Sequence, residues 1–250
     1  MKNAFLIPLA AVVLAAGGWY ALQAAEPAKA DPAKKAAPAK AKPAAEAKQD
    51  PAPAPPAQDP RALLAPGQAT AKAPEVFRAK FATTKGDFIV EVRRDWAPLG
   101  ADRFYNLVKV GYFDGVSFFR VVKGFMVQFG VHGAPEVNAA WRPARIKDDP
   151  VKKSNQRAFV TYAMAGPDTR TTQFFINYGD NAGLDGQGFP PFGQVVKGME
   201  VVDKIYGEYG DMPQQGGAGP DPGRLEREGD SYLKKDFPKL DYIKKARLTK

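Results

Sequence analysis

Cysteine is absent from the 250 residues, and histidine occurs once, as His132. Disulfides, thiolate nucleophiles and cysteine-ligated zinc or iron–sulfur centres are therefore excluded. A multi-histidine metal site cannot be built either, and no metal or cofactor is expected. Any Ser-His-Asp triad would have to use His132, a lone histidine that reads as a loop residue. The chain also lacks a Gly-x-x-x-x-Gly-Lys-Ser/Thr phosphate loop. Residues 26–60 contain no Val, Ile, Leu, Met, Phe, Tyr or Trp, and 13 Ala, 9 Pro and 6 Lys fill most of the segment. Such a stretch has nothing with which to form a core, and its prolines break helices. It reads as a semi-extended linker over residues 26–75.

One long uncharged run is present, from Phe5 to Leu22, preceded by Lys2 and followed by Gln23-Ala24-Ala25. The order of positive charge, apolar run and small residues is that of a secretory signal. The run is also long enough to span a bilayer. Residues 1–25 thus read as a signal peptide or a membrane anchor, with the linker as a tether to a membrane or envelope. The expected location is the periplasm or the outer face of the inner membrane.

Net charge is +9, from 36 basic and 27 acidic residues. The excess within residues 76–250 is spread along the chain, without the clustered basic face that nucleic-acid binding requires. Aromatic residues make up 11% of the chain, enough for one real core in this region.

Phe77–Thr83 and Asp87–Arg93 read as a hairpin around Thr84-Lys85-Gly86, because Phe88, Val90 and Val92 alternate with Ile89, Glu91 and Arg93. Pro98 suits a helix first turn, and Phe104, Leu107 and Val108 follow at helical spacing. Short strands are expected at 116–122, 124–130, 158–165, 172–178 and 192–196, a second helix at 196–206, a loop at 207–230 and a closing strand at 241–248. Many short strands with glycine turns and no strand–helix alternation indicate a mainly β fold, a closed antiparallel barrel or a sandwich.

Three stretches carry candidate chemistry. In Phe118-Phe119-Arg120-Val121-Val122-Lys123-Gly124-Phe125-Met126-Val127-Gln128, a permanently charged guanidinium with five donors sits among apolar side chains. In Ala163-Met164-Ala165-Gly166-Pro167-Asp168-Thr169-Arg170-Thr171-Thr172-Gln173-Phe174-Phe175-Ile176, the small residues leave room for a ligand backbone. Gln173 and Phe175 share one strand face there, while Phe118 and Phe174 alternate into the core. The third stretch is Leu184-Asp185-Gly186-Gln187-Gly188-Phe189, in which Asp185 reads as a turn residue.

These three ordered blocks, with Tyr112-Phe113-Asp114-Gly115 ahead of them, closely resemble the cyclophilin signature over essentially residues 76–250. The resemblance implies a closed eight-stranded antiparallel barrel capped by two helices and a peptidyl-prolyl cis–trans isomerase activity on proline-containing polypeptides, by a monomer. By the same resemblance the catalytic arginine is Arg120. The proline pocket comprises Phe125, Met126, Phe175 and Leu184, with Gln128 and Gln173 as polar contacts and Ala163 and Ala165 along the substrate backbone. The chain departs from the family at several positions. Phe119 stands where a histidine is more frequent, Met164 where many members have asparagine, and Gly183 where many have tryptophan. The pocket histidine has no counterpart, Phe189 being the nearest residue, and His132–Trp141 replaces a glycine-rich stretch.

Rotation about X–Pro needs no nucleophile, metal or proton shuttle. A barrel that only binds peptides is the alternative from another class, and the retained Arg120 favours the enzyme.

Overall fold

The computed structural model describes residues 60–249 of the chain. The expected signal or anchor at 1–25 and the expected linker up to residue 59 lie outside the described residues. Eight strands form one sheet: β1 (Val76–Thr83), β2 (Gly86–Arg93), β3 (Arg120–Val122), β4 (Met126–Phe129), β5 (Phe159–Tyr162), β6 (Phe174–Asn177), β7 (Pro191–Lys197) and β8 (Ile243–Thr249). Their order across the sheet is β3-β4-β6-β5-β7-β2-β1-β8, and every recorded pairing is antiparallel.

The sheet is a half-barrel and not the closed barrel expected. β3 and β8, at its two edges, do not form a ladder. The chain just ahead of each makes one isolated bridge, Ser117 with Tyr242. Gly115 N–H donates to the Ile243 carbonyl and Ile243 N–H to the Val116 carbonyl at this seam. Beyond the bridge the edge of β3 is taken by another segment: Val121 N–H donates to the Gly210 carbonyl at 3.3 Å.

The expected hairpin and first helix are present. The helix α1 (Pro98–Val110) starts with proline in its first turn and ends at Gly111 in the left-handed conformation. It buries Phe104, Leu107 and Val108 in the main core with residues of the sheet. A network of phenylalanines fills the core. Phe81 stacks on Phe88 at 4.9 Å, and Phe104 meets the edge of Phe174 at 5.3 Å. Phe118 and Phe174 are fully buried there, as their alternation predicts.

The second capping helix, expected over 196–206, shrinks to α3 (Met199–Val202). β7 runs on to Lys197, which pairs with Ile89, so those residues are strand. Three helices occupy regions read as loop or left unassigned: α2 (Pro135–Trp141), α4 (Pro222–Glu228) and α5 (Asp230–Asp236). Residues 60–75, which composition groups with the linker, are fastened to the domain. Trp141 Nε1 donates to the Leu63 carbonyl at 2.7 Å, and Ala73 N–H donates to Asp102 Oδ1 at 2.8 Å. No helix among the described residues is long and apolar enough to cross a membrane.

A buried ion pair anchors the first turn of α1. Asp149 accepts from the Leu99 and Gly100 N–H groups and from both Nη atoms of Arg170, whose side chain is wholly buried. The Arg170 guanidinium also lies 5.3 Å from the Tyr162 ring centroid. Arg170 belongs to the segment that leads to Gln173, just ahead of β6. Removing one partner of a buried pair strands the other charge and costs about 3–5 kcal/mol. Asp149→Ala is therefore expected to lower unfolding stability by about 3–5 kcal/mol in urea titration. Lys147→Ala, which deletes an exposed lysine, leaves the midpoint nearly unchanged.

Candidate active site

β4 is buried on both faces. Val127 and Phe129 enter the main core, whereas Met126 and Gln128 point the other way, into a separate group of side chains. Register sets the neighbours: Arg120 lies opposite Gln128, and Gln128 opposite Phe175. An apolar cluster distinct from the core results. Met126, Phe175, Leu184 and Phe189 are its buried members, and Phe125, Ala163 and Met164 pack against them. Phe175 and Phe189 meet at 6.1 Å between ring centroids. Of the apolar residues expected here, Ala165 alone falls outside this cluster. It is exposed, and its N–H donates to Thr169 Oγ1.

Beside the cluster runs a directed polar chain. Arg120 Nη1 donates to Gln128 Oε1 at 3.0 Å, and Gln128 Nε2 donates to Gln173 Oε1 at 3.0 Å. Gln173 Nε2 then faces Glu226 Oε1 at 3.5 Å. Burial raises the pKa of the Glu226 carboxyl, against the opposing pull of Arg142 and Arg227. A buried amide needs partners, and each glutamine finds them within the chain. Close approach of the backbones makes this possible: a Cβ on Gly130, whose φ is +110°, would lie 2.1 Å from the Thr172 carbonyl oxygen.

Leu184 is delivered by the 3-10 turn Ala182–Gln187, and Phe189, just after it, donates its N–H to the Leu184 carbonyl. Asn155, fully buried, holds that turn in place. Its Nδ2 donates to Asp185 Oδ1 and to the Phe189 carbonyl, both at 2.8 Å, while its Oδ1 accepts from Thr161 Oγ1. Burial pushes the Asp185 carboxyl up, but hydrogen bonds from Ser154 and Asn155 outweigh it and keep its pKa below the usual value. Asp185 is thus a fastened turn residue, as its Leu-Asp-Gly setting indicates.

His132 Nδ1 accepts from Ala134 N–H at 3.0 Å, and burial lowers the imidazole pKa. It serves the start of α2. Among the described residues no group of three or more His, Asp or Glu is placed to hold a metal ion.

Two features escaped the sequence reading. Asp211 grips Arg120 through Oδ1 to Nε at 2.6 Å and Oδ2 to Nη2 at 3.2 Å. It lies 91 residues away in a Gly- and Pro-rich loop, and no local pattern points to it. The pair α4–α5 folds over Phe119: Phe119 and Val131 pack with Leu225, Tyr232 and Leu233 in a second small cluster. That cover explains why a phenylalanine suits position 119.

A family model described as cyclophilin type peptidyl-prolyl cis-trans isomerase/CLD matches residues 78–218. Peptidyl-prolyl cis-trans isomerase A of Dickeya dadantii is 38% identical over 128 residues, covering 49% of this chain and 67% of that protein. A peptidyl-prolyl cis-trans isomerase of Acinetobacter baylyi is 37% identical over 151 residues, covering 53% and 77%. Among solved structures, a cyclophilin type isomerase of Cryptosporidium parvum superposes with a TM-score of 0.52 at 20% identity, over 70% of this chain and 98% of the other. The same parasite enzyme has also been solved in the presence of the dipeptide Ala-Pro. The chain belongs to the cyclophilin-type peptidyl-prolyl cis–trans isomerase family.

Proposed function

We propose that this protein catalyses X–Pro rotation in exported polypeptides, with Arg120 as the hydrogen-bond donor and the separate apolar cluster as the proline pocket. The barrier to rotation is amide resonance, about 18–20 kcal/mol. In the twisted transition state resonance is lost and the prolyl nitrogen becomes pyramidal with a localised lone pair. A donor that prefers this lone pair, fixed beside a dry wall that grips the ring, lowers the barrier by preorganised electrostatics. Arg120 supplies N–H groups that never deprotonate. Phe125, Met126, Phe175 and Leu184 supply the apolar wall, extended by Phe189 and Met164. Gln128 and Gln173 offer amide groups along the substrate, and the segment Ala163–Ala165 leaves backbone space beside it.

The single observation that carries this reading is that the apolar side chains gather outside the main core, directly beside the Arg120–Gln128–Gln173 chain.

The location proposed is outside the cytoplasm, supported by the charge–apolar–small order of residues 1–25 and the Ala/Pro/Lys linker behind it. The client polypeptides would then be proteins folding in the envelope. Cell fractionation of the full chain against one lacking residues 1–25 checks this, and an unchanged cytoplasmic location for both would overturn it.

The activity is tested by NMR exchange between cis and trans signals of an X–Pro peptide. The wild-type chain is expected to accelerate exchange, and Arg120→Ala to reduce the acceleration by about 10²–10³. Peptide binding without acceleration by the wild type would make the domain a binding module.

A further inference from the structure

A guanidinium on a three-residue edge strand has many rotamers, and an arginine side chain carries roughly 2 kcal/mol of rotamer entropy. Arg120 is nonetheless held at three of its nitrogens, with only 11% of its side chain exposed. Gln128 takes Nη1, and Asp211 takes Nε and Nη2 in the two-pronged geometry that fixes both position and plane. Of the five N–H donors of arginine, three are engaged, and one hydrogen on each Nη remains for a substrate.

Asp211 is itself held in place by its loop. The preceding Gly210 carbonyl accepts from Val121 N–H, next to Arg120 on β3. The Asp211 carbonyl accepts from Gly219 N–H at 2.8 Å, and its Oδ1 also accepts from Met212 N–H at 2.7 Å. The loop closes so tightly that a Cβ on Gly217 would lie 2.0 Å from the Asp211 carbonyl oxygen. The carboxylate is thus pinned on both sides of its sequence before it meets the guanidinium.

We infer that Asp211 is a positioning residue for the isomerisation, fixing the plane of the Arg120 guanidinium so that its two unengaged Nη hydrogens face the proline pocket. The inference rests on Arg120 being the donor. Asp211 touches no substrate; it acts through Arg120, and its loss is felt in the rate of the bound peptide and not in the apolar grip that binds it. Misplacement of a catalytic group by about 1 Å can cost 10²-fold in rate.

The test is a double-mutant cycle in the full chain, read by NMR exchange on an X–Pro peptide, with peptide Kd and the Arg120 Nε–H resonance measured in parallel. Asp211→Ala is expected to lower kcat by about 10–100-fold, with peptide Kd changed less than about twofold. In the Arg120→Ala background the same change should have no further effect. The Arg120 Nε–H proton, slow to exchange with water in the wild type, should exchange fast in Asp211→Ala. Asp211→Asn, which keeps the shape of the loop and one acceptor oxygen, should fall between wild type and Asp211→Ala in both rate and exchange. Four results would overturn the inference: unchanged kcat in Asp211→Ala, a higher kcat, an equal loss in the Arg120→Ala background, or an Nε–H signal indifferent to Asp211. If Arg120→Ala itself leaves catalysis intact, the donor reading fails and the inference with it. If Arg120→Ala is damaging and Asp211→Ala is not, the inference alone fails.

Discussion

A four-residue strand, Met126–Phe129, has to satisfy two apolar surroundings at once. Its alternation sends Val127 and Phe129 into the phenylalanine core and Met126 and Gln128 to the opposite side. A slip of one residue would exchange the two sets and place an amide in the core. Nearly everything at the site follows from this register. Gln128 falls opposite Arg120 on one neighbour and opposite Phe175 on the other. The apolar cluster and the polar chain are therefore adjacent strips of a single sheet face.

The second constraint is electrostatic. A guanidinium beside carbon walls keeps its strength as a donor because little water competes with it, but a charge in such a place must be compensated. The fold compensates it with Asp211 on Nε and Nη2 and Gln128 on Nη1, and so leaves one hydrogen on each Nη available. Both Asp211 and the covering helices α4 and α5 come from the segment between α3 and β8, which also occupies the edge of β3. The segment that lies on the edge of β3 thus also completes the surroundings of Arg120.

Much of this was legible in the chain. The hairpin of β1 and β2, the helix α1 and the separation of Phe118 and Phe174 from Arg120, Gln173 and Phe175 follow from periods of 2 and 3.6 alone. The residues of the three motif blocks meet because strand register brings them together. Other features depend on partners distant in sequence. Asp211 reaches Arg120 from a loop with no local signal, and Asp149 anchors α1 from 49 residues away. The helix at 222–228 did carry a start signal, an Asp221 cap accepting from Arg224 N–H followed by proline, but it was hidden in Gly- and Pro-rich surroundings that read as loop. The helix expected over 196–206 starts only at Met199 because Lys197 pairs with Ile89 as the end of β7.

The proposed function seats one proline ring in the Phe125–Met126–Phe175–Leu184 cluster under the Arg120 donor. A crystal structure of this protein with an Ala-Pro dipeptide tests it most directly. The ring is predicted to lie against those four side chains, with an Arg120 Nη about 3 Å from the prolyl amide group and Asp211 still bound to Nε. A dipeptide seated elsewhere, or a ring in the cluster with Arg120 turned away from it, would contradict the account.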